Sequence, residues 1–279
     1  MYARAYVEIT NVCNRQCSFC PGTTRLPRRM SKEEFDVVLD RLEGVTEYIY
    51  YHVMGEPLTH PDLPEFIRRA SARGFRSAIT TNGTLLATRG RDLIDAGVYK
   101  VNVSVHSFEN GTDASAHEKY LSDILDFADE ASRAGVLTVL RLWNLDADGQ
   151  SLGGDNDRTR SLLQARFPEP WRHSVRGARL RDKLHLEYGE RFAWPDMEAD
   201  ARGDSVFCYG LKDHFAILCD GRVVPCCLDR EGAITLGNVF DAPIEEILSS
   251  PRAEAMRAGF ACRHATEELC RRCGYARRF

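Results

Sequence analysis

The chain has 279 residues, 43% of them apolar, and 41 acidic against 37 basic side chains give a formal net charge of −4. That length and apolar share suffice for one core with an appendage, and the acidic balance offers no broad pull on phosphate backbones, arguing against a nucleic-acid partner. No apolar run is long enough to cross a bilayer and the first residues lack a signal-peptide pattern, so the reading expects a cytoplasmic protein with no membrane partner. The basic runs at 25–29 and 172–181 read as solvated faces.

In chain order, residues 5–9 form a short apolar strand running into the first cysteines. Ser31 and Glu34 make a Ser-x-x-Glu capping box that opens an amphipathic helix to about Leu42. Residues 48–54, aromatic and β-branched, predict a strand. A helix follows from Pro61 with Gly74 as its C-cap, then a strand at 77–81 stopped by Asn82-Gly83. A helix ending near Gly97, a strand at 101–106, a long helix to Gly135 and a strand at 137–143 complete the series. Strands that alternate with helices imply parallel β/α units. A partial (β/α)6 TIM-like barrel fits best, with a doubly wound open sheet as the alternative; in either fold the reactive groups gather at the C-terminal strand ends.

From 146 to about 204 the pattern weakens to one helix near 158–166 and one strand at 183–188, either the last barrel units or an insertion. From Cys208 onward lie seven of the ten cysteines, around a hairpin at 214–225 and helices at 243–248 and 252–256. A boundary near Gly203 divides the sequence into a barrel, 1–203, and a small cysteine-rich α+β domain, 204–279. Ten cysteines in a reducing compartment are better explained by metal or cluster ligation than by disulfides.

Cys13, Cys17 and Cys20 sit on the loop after the first strand. Three thiolates this close can hold three irons of a 4Fe–4S cube and leave the fourth open to chelate a small molecule, whereas ferredoxin-type sites bring four cysteines. Zinc, which favours paired Cys-x-x-Cys knuckles, fits the uneven spacing poorly.

With its Cys-x-x-x-Cys-x-x-Cys motif the chain resembles the radical S-adenosylmethionine (radical SAM) superfamily. Phe19 before the last cysteine matches the aromatic residue that packs near the adenine. Met54-Gly55-Glu56-Pro57 stands where the family has Gly-Gly-Glu-Pro, with Gly55 in the turn and Glu56 as ligand of the methionine amino group. Thr80-Thr81-Asn82-Gly83 is typical of the third strand end, and Ser104 and Arg141 occupy positions that meet the ribose or the methionine carboxylate. Each of these is weak alone; their order and spacing carry the resemblance. It implies reductive cleavage of S-adenosylmethionine to a 5′-deoxyadenosyl radical that abstracts hydrogen from substrate.

Cys208-x(12)-Gly221-x(4)-Cys226 followed by Cys270-x-x-Cys273 resembles the start of the SPASM auxiliary-cluster domain of that superfamily, in the shortened single-cluster (twitch) form, since six residues follow Cys273. The resemblance implies a second 4Fe–4S cluster on Cys208, Cys226, Cys270 and Cys273; a structural zinc is the alternative. Cys219, Cys227 and Cys262 are left without a role.

The reading is therefore an enzyme acting on a small molecule by dehydrogenation or epimerisation, with the auxiliary cluster carrying electrons and flavodoxin or ferredoxin as reductant. A maturase acting on a short peptide is the alternative, and a non-catalytic metal-binding or regulatory protein the second. Tyr51, His52, His106, Trp143 and Glu187 are candidate pocket residues. His52, His106, Arg141 and Trp143 are the catalytic candidates, Arg141 or a histidine being examined first for a hydroxyl proton.

Overall fold

A computed structural model of the chain describes residues 1–108, 114–146, 148–152 and 156–278. The first half runs β1 (Arg4–Val7), α1 (Lys32–Leu42), β2 (Tyr48–Tyr50), α2 (Leu63–Ala72), β3 (Arg76–Thr81), α3 (Leu86–Asp95), β4 (Lys100–Ser104), α4 (Ala114–Arg133) and β5 (Leu137–Leu145). There follow α5 (Asn156–Arg166), β6 (Arg172–Ser174), β7 (Gly177–Arg181) and β8 (Leu184–Glu190). The cysteine-rich tail holds β9 (His214–Ile217), β10 (Arg222–Val224), β11 (Gly237–Asn238), α6 (Ile244–Leu248), α7 (Pro251–Ala261) and α8 (Glu268–Arg271).

The sheet order is β11-β10-β9-β1-β2-β3-β4-β5-β8-β7-β6. Neighbours from β1 through β5 to β8 all pair in parallel, giving the six strands of a partial (β/α)6 barrel. β8 is the strand expected over 183–188. The β6–β7 hairpin before it, antiparallel to it, was not anticipated. β9 pairs in parallel with β1, Ala5 opposite Phe215, so the tail continues the barrel sheet across its other edge.

Local chemistry explains the element ends. The capping box forms as expected: Glu34 N–H donates to Ser31 Oγ at 3.1 Å and Ser31 N–H to Glu34 Oε2 at 2.8 Å. β2 stops at Tyr50, short of the expected Met54, because the chain turns there and His52 N–H bonds back to the Tyr50 carbonyl at 2.9 Å. β4 likewise ends at Ser104, where Val105–Ser107 wind into a 3₁₀ turn.

Strand alternation then sorts the side chains. Ala5 and Val7 of β1, and Leu140 and Leu142 of β5, enter the core under the helices, where Phe35 of α1 stacks on Phe66 of α2 at 4.3 Å. Arg4 and Tyr6, and Arg141 and Trp143, fall on the other face, which is the barrel lumen. The strands thus bury apolar side chains outward and keep a polar interior for a site.

Candidate functional site

The loop carrying Cys13, Cys17 and Cys20 leaves β1 through a pinned turn. Thr10 Oγ1 donates to the Arg28 carbonyl at 3.0 Å and Asn11 Nδ2 to the Leu26 carbonyl at 2.9 Å, closing the loop at its base. Within it Cys20 N–H donates to the Cys17 carbonyl at 3.1 Å. The Cys13 thiol lies beside Cys20, Glu56 and the Asn82 side chain, and burial pushes it up.

Glu56 is brought against this loop by Gly55. Gly55 has φ +77°; a Cβ there would overlap the Thr10 carbonyl oxygen and stand 2.9 Å from the Asn11 carbonyl carbon and the Val12 carbonyl oxygen. Only glycine permits that approach. The Glu56 backbone N–H donates to the Val12 carbonyl at 2.9 Å, and the carboxylate, 2% exposed, accepts from Leu58 N–H (3.0 Å) and Asn82 N–H (2.7 Å). Burial pushes its carboxyl up to about 7 despite these bonds, so a cation arriving beside it would favour its charged form. Asn82 Nδ2 donates to Asn14 Oδ1 at 2.8 Å and its carbonyl accepts from Tyr120 O–H at 2.7 Å, so the third strand end is tied directly to the cysteine loop.

On the far side of the loop, Phe19 lies 4.9 Å from the His106 ring, whose Nδ1 stands 3.1 Å from the Arg141 carbonyl and 3.3 Å from Trp143 N–H. The Arg141 guanidinium stacks over Trp143 at 4.5 Å and pairs with Glu187 of β8 at 3.4 Å. Ser104 lies opposite Arg141 in the β4–β5 register. His52 packs 5.3 Å from the Tyr6 ring; burial, and then the Arg141 charge, lower its pKa to about 3, so it is neutral. Its Nδ1 and Trp143 Nε1 are buried without a hydrogen-bond partner among the described residues. Tyr51 is placed elsewhere: one residue out of phase with His52, it is fully buried in the core with its hydroxyl 3.0 Å from Ser77 Oγ. The sequence-derived pocket residues His52, His106, Trp143 and Glu187 thus share the lumen with Arg141, and Tyr51 does not.

In the tail, Cys208, Cys226, Cys270 and Cys273 come together from three separate segments. Cys226 is half-buried with the other three thiols and Cys227 around it, and desolvation followed by their mutual repulsion raises its pKa well above the ordinary thiol value. Burial also raises Cys208, Cys270 and Cys273. A bound cation would favour the thiolate form of these crowded, half-buried sulfurs, and Gly210 N–H, aimed at Cys208 Sγ at 3.3 Å, matches the hydrogen bonding of a cluster sulfur. Among the described residues no three His, Cys, Asp or Glu side chains converge on a single metal-ion position. A cube asks less than that, because each cysteine binds a different iron. Cys219 is buried elsewhere and Cys262 is exposed.

Sequence reasoning missed two features. The first is Glu8, fully buried, whose carboxylate accepts from Arg25 Nη1 and Nη2 (2.7 Å each), Met54 N–H (3.0 Å) and Cys219 N–H (3.2 Å). One side chain thereby joins β1, the Gly55-Glu56 turn, the cysteine loop and the β9–β10 hairpin. The second is a small apolar cluster of Val53, Met54, Ala216, Leu218 and Val224, against which Tyr6, Cys20, Trp194 and Cys227 pack. It lies between the two cysteine sites. A buried carboxylate at the end of a strand, with no partner nearby in sequence, was the available signal for Glu8.

The model of the radical SAM superfamily matches residues 7–146, half of the chain. The chain belongs to the radical SAM superfamily. The model of the SPASM iron–sulfur cluster-binding domain matches residues 208–274, so this radical SAM protein uses S-adenosylmethionine and carries an additional iron–sulfur cluster in its tail. It is similar to GTP 3′,8-cyclase 1 of Mycobacterium tuberculosis, 34% identical over 42% of this chain and 37% of that protein, and to the AdoMet-dependent heme synthase of Oleidesulfovibrio alaskensis, 30% identical over 40% of this chain and 29% of that protein. The chain spans less than half the length of these relatives. In fold it is similar to BtrN in complex with AdoMet and 2-DOIA, with a TM-score of 0.64 at 16% identity, covering 98% of this chain and 93% of that one. Among the described residues no helix is long and apolar enough to cross a membrane.

Proposed function

We propose that this radical SAM enzyme oxidises or epimerises a small molecule, the tail acting in electron transfer. The observation that carries the reading is the tail site itself: four half-buried cysteines come together there, enough to fill every iron of a cube and leave none for substrate. Bound S-adenosylmethionine and the two clusters supply the carbon–sulfur cleavage, the hydrogen abstraction and a route for the electron left on substrate.

The chain's own residues divide the remaining work. Cys13, Cys17 and Cys20 hold three irons, and Glu56 takes the methionine ammonium. Phe19 packs on the adenine, while Ser104 and Arg141 meet the ribose and the methionine carboxylate; Asn82 fixes Glu56 through its backbone N–H. His106 stands in the lumen as the acceptor for a hydroxyl proton; His52, its pKa lowered to about 3, lines the lumen as a neutral ring and a weak base. The division at Gly203 into barrel and auxiliary domain, and a flavodoxin or ferredoxin as reductant, belong to the same proposal. The fold likeness to BtrN with bound 2-DOIA supports a small molecule. The likeness to SuiB bound to precursor peptide SuiA (TM-score 0.55, 12% identity) keeps a peptide as the second reading.

The deciding experiment is iron, sulfide and zinc per chain after anaerobic reconstitution, with 5′-deoxyadenosine assayed under dithionite. About eight irons, falling to about four in the Cys226→Ala/Cys270→Ala variant with 5′-deoxyadenosine formation retained, is the expected result. About four irons with one zinc would reduce the tail to a structural clamp, and no 5′-deoxyadenosine would leave a non-catalytic protein.

A further inference from the structure

We propose that residues 191–196 form a strap that walls the chamber between the two cysteine sites, and that Trp194 is the side chain that closes this chamber to solvent. The inference rests on the radical chemistry proposed above. At one end of the strap Arg191 Nη2 donates to Ser18 Oγ at 2.9 Å and its guanidinium lies over Phe19 at 5.5 Å, between Cys17 and Cys20. Next, Phe192 packs edge-on to Tyr275 at 5.0 Å, and Gly274 N–H, adjacent to Cys273, donates to the Ala193 carbonyl at 3.2 Å. A Cβ at Gly274 would stand 2.6 Å from that carbonyl oxygen, so the tail and the strap approach as closely as glycine allows. At the other end Arg230 Nη1 donates to the Pro195 carbonyl at 2.8 Å and Nη2 pairs with Asp196 at 2.9 Å.

One short segment therefore touches the immediate neighbours of both cysteine sites, and its middle residue, Trp194, packs on the apolar cluster that Cys20 and Cys227 also contact. Trp194 offers apolar surface beside that cluster and the lumen holds the charged Arg141–Glu187 pair, together the complement of a compact molecule with both characters. A radical needs such closure, because water and reductant entering the site consume it unproductively.

The test uses two variants and S-adenosylmethionine with dithionite as the only reactants. Trp194→Ala is expected to raise substrate-free 5′-deoxyadenosine formation several-fold at unchanged iron content, and Trp194→Phe to stay within twofold of wild type. Independently of activity, the emission difference between wild type and Trp194→Phe is expected to lose more than half its intensity on iron–sulfide reconstitution, since Trp194 lies close to both sites. Unchanged 5′-deoxyadenosine formation in Trp194→Ala, unquenched difference emission, or loss of iron with the substitution each overturns the assignment. If wild type itself makes no 5′-deoxyadenosine, the radical reading fails instead, while the quenching still reports where Trp194 lies.

Discussion

Replacing Glu8 by Gln tests whether one buried ion pair holds the cysteine loop to the tail. The Glu8 side chain is fully buried and that of Arg25 is 9% exposed, so losing the carboxylate charge strands a guanidinium in a dry environment and weakens bonds to Met54 and Cys219 N–H. Removing one partner of a buried pair costs about 3–5 kcal/mol, because the remaining charge keeps its desolvation penalty. With a urea slope of about 3 kcal/mol/M, the denaturation midpoint should fall by about 1–1.7 M, followed by circular dichroism under anaerobic conditions. The double variant Glu8→Met/Arg25→Met removes both charges and should recover most of the loss. A loss below about 1 kcal/mol in Glu8→Gln would refute the reasoning. So would a double variant no more stable than the single one, which would locate the loss in packing.

Gly55→Ala should cost about 1–3 kcal/mol for the left-handed backbone alone, and the overlap with Thr10 should displace Glu56; loss of 5′-deoxyadenosine formation with the fold retained is the expected pattern. For His52, the folded pKa near 3 lies below the ordinary 6.5, so the unfolded chain binds a proton first and stability falls as pH drops from about 6.5 toward 3. His52→Gln should flatten that part of the stability profile, and an unchanged slope would exclude a buried neutral His52. Ser31→Ala removes a cap bonded to Glu34 N–H and should cost about 1 kcal/mol, or about 2–4 °C in Tm, by calorimetry.

The legible parts of this protein were those written in short spacings. The capping box at Ser31 and Glu34 needs only three residues of separation, and it forms as read. The alternation of Arg141 and Trp143 with Leu140 and Leu142 placed two lumen residues on one face without any knowledge of the partner strands. Tyr51 is a candidate beside His52 for its place at a strand end alone; the alternation continues past Tyr50, so of these two neighbours His52 faces the lumen and Tyr51 the core.

By itself, then, the sequence determined the succession of β/α units and the three-cysteine loop at the end of the first strand, because strand and helix periods and short ligand spacings are local properties of a chain, whereas the four tail cysteines were implied by the resemblance to the SPASM domain. Only the tertiary structure decided that β9 would pair with β1, that Glu8 would meet Cys219 N–H, 211 residues away, and that Trp194 would pack between the two sites. Those contacts depend on which edges and faces remain to be buried once the partial barrel has formed around its core, and no periodicity in the sequence records that.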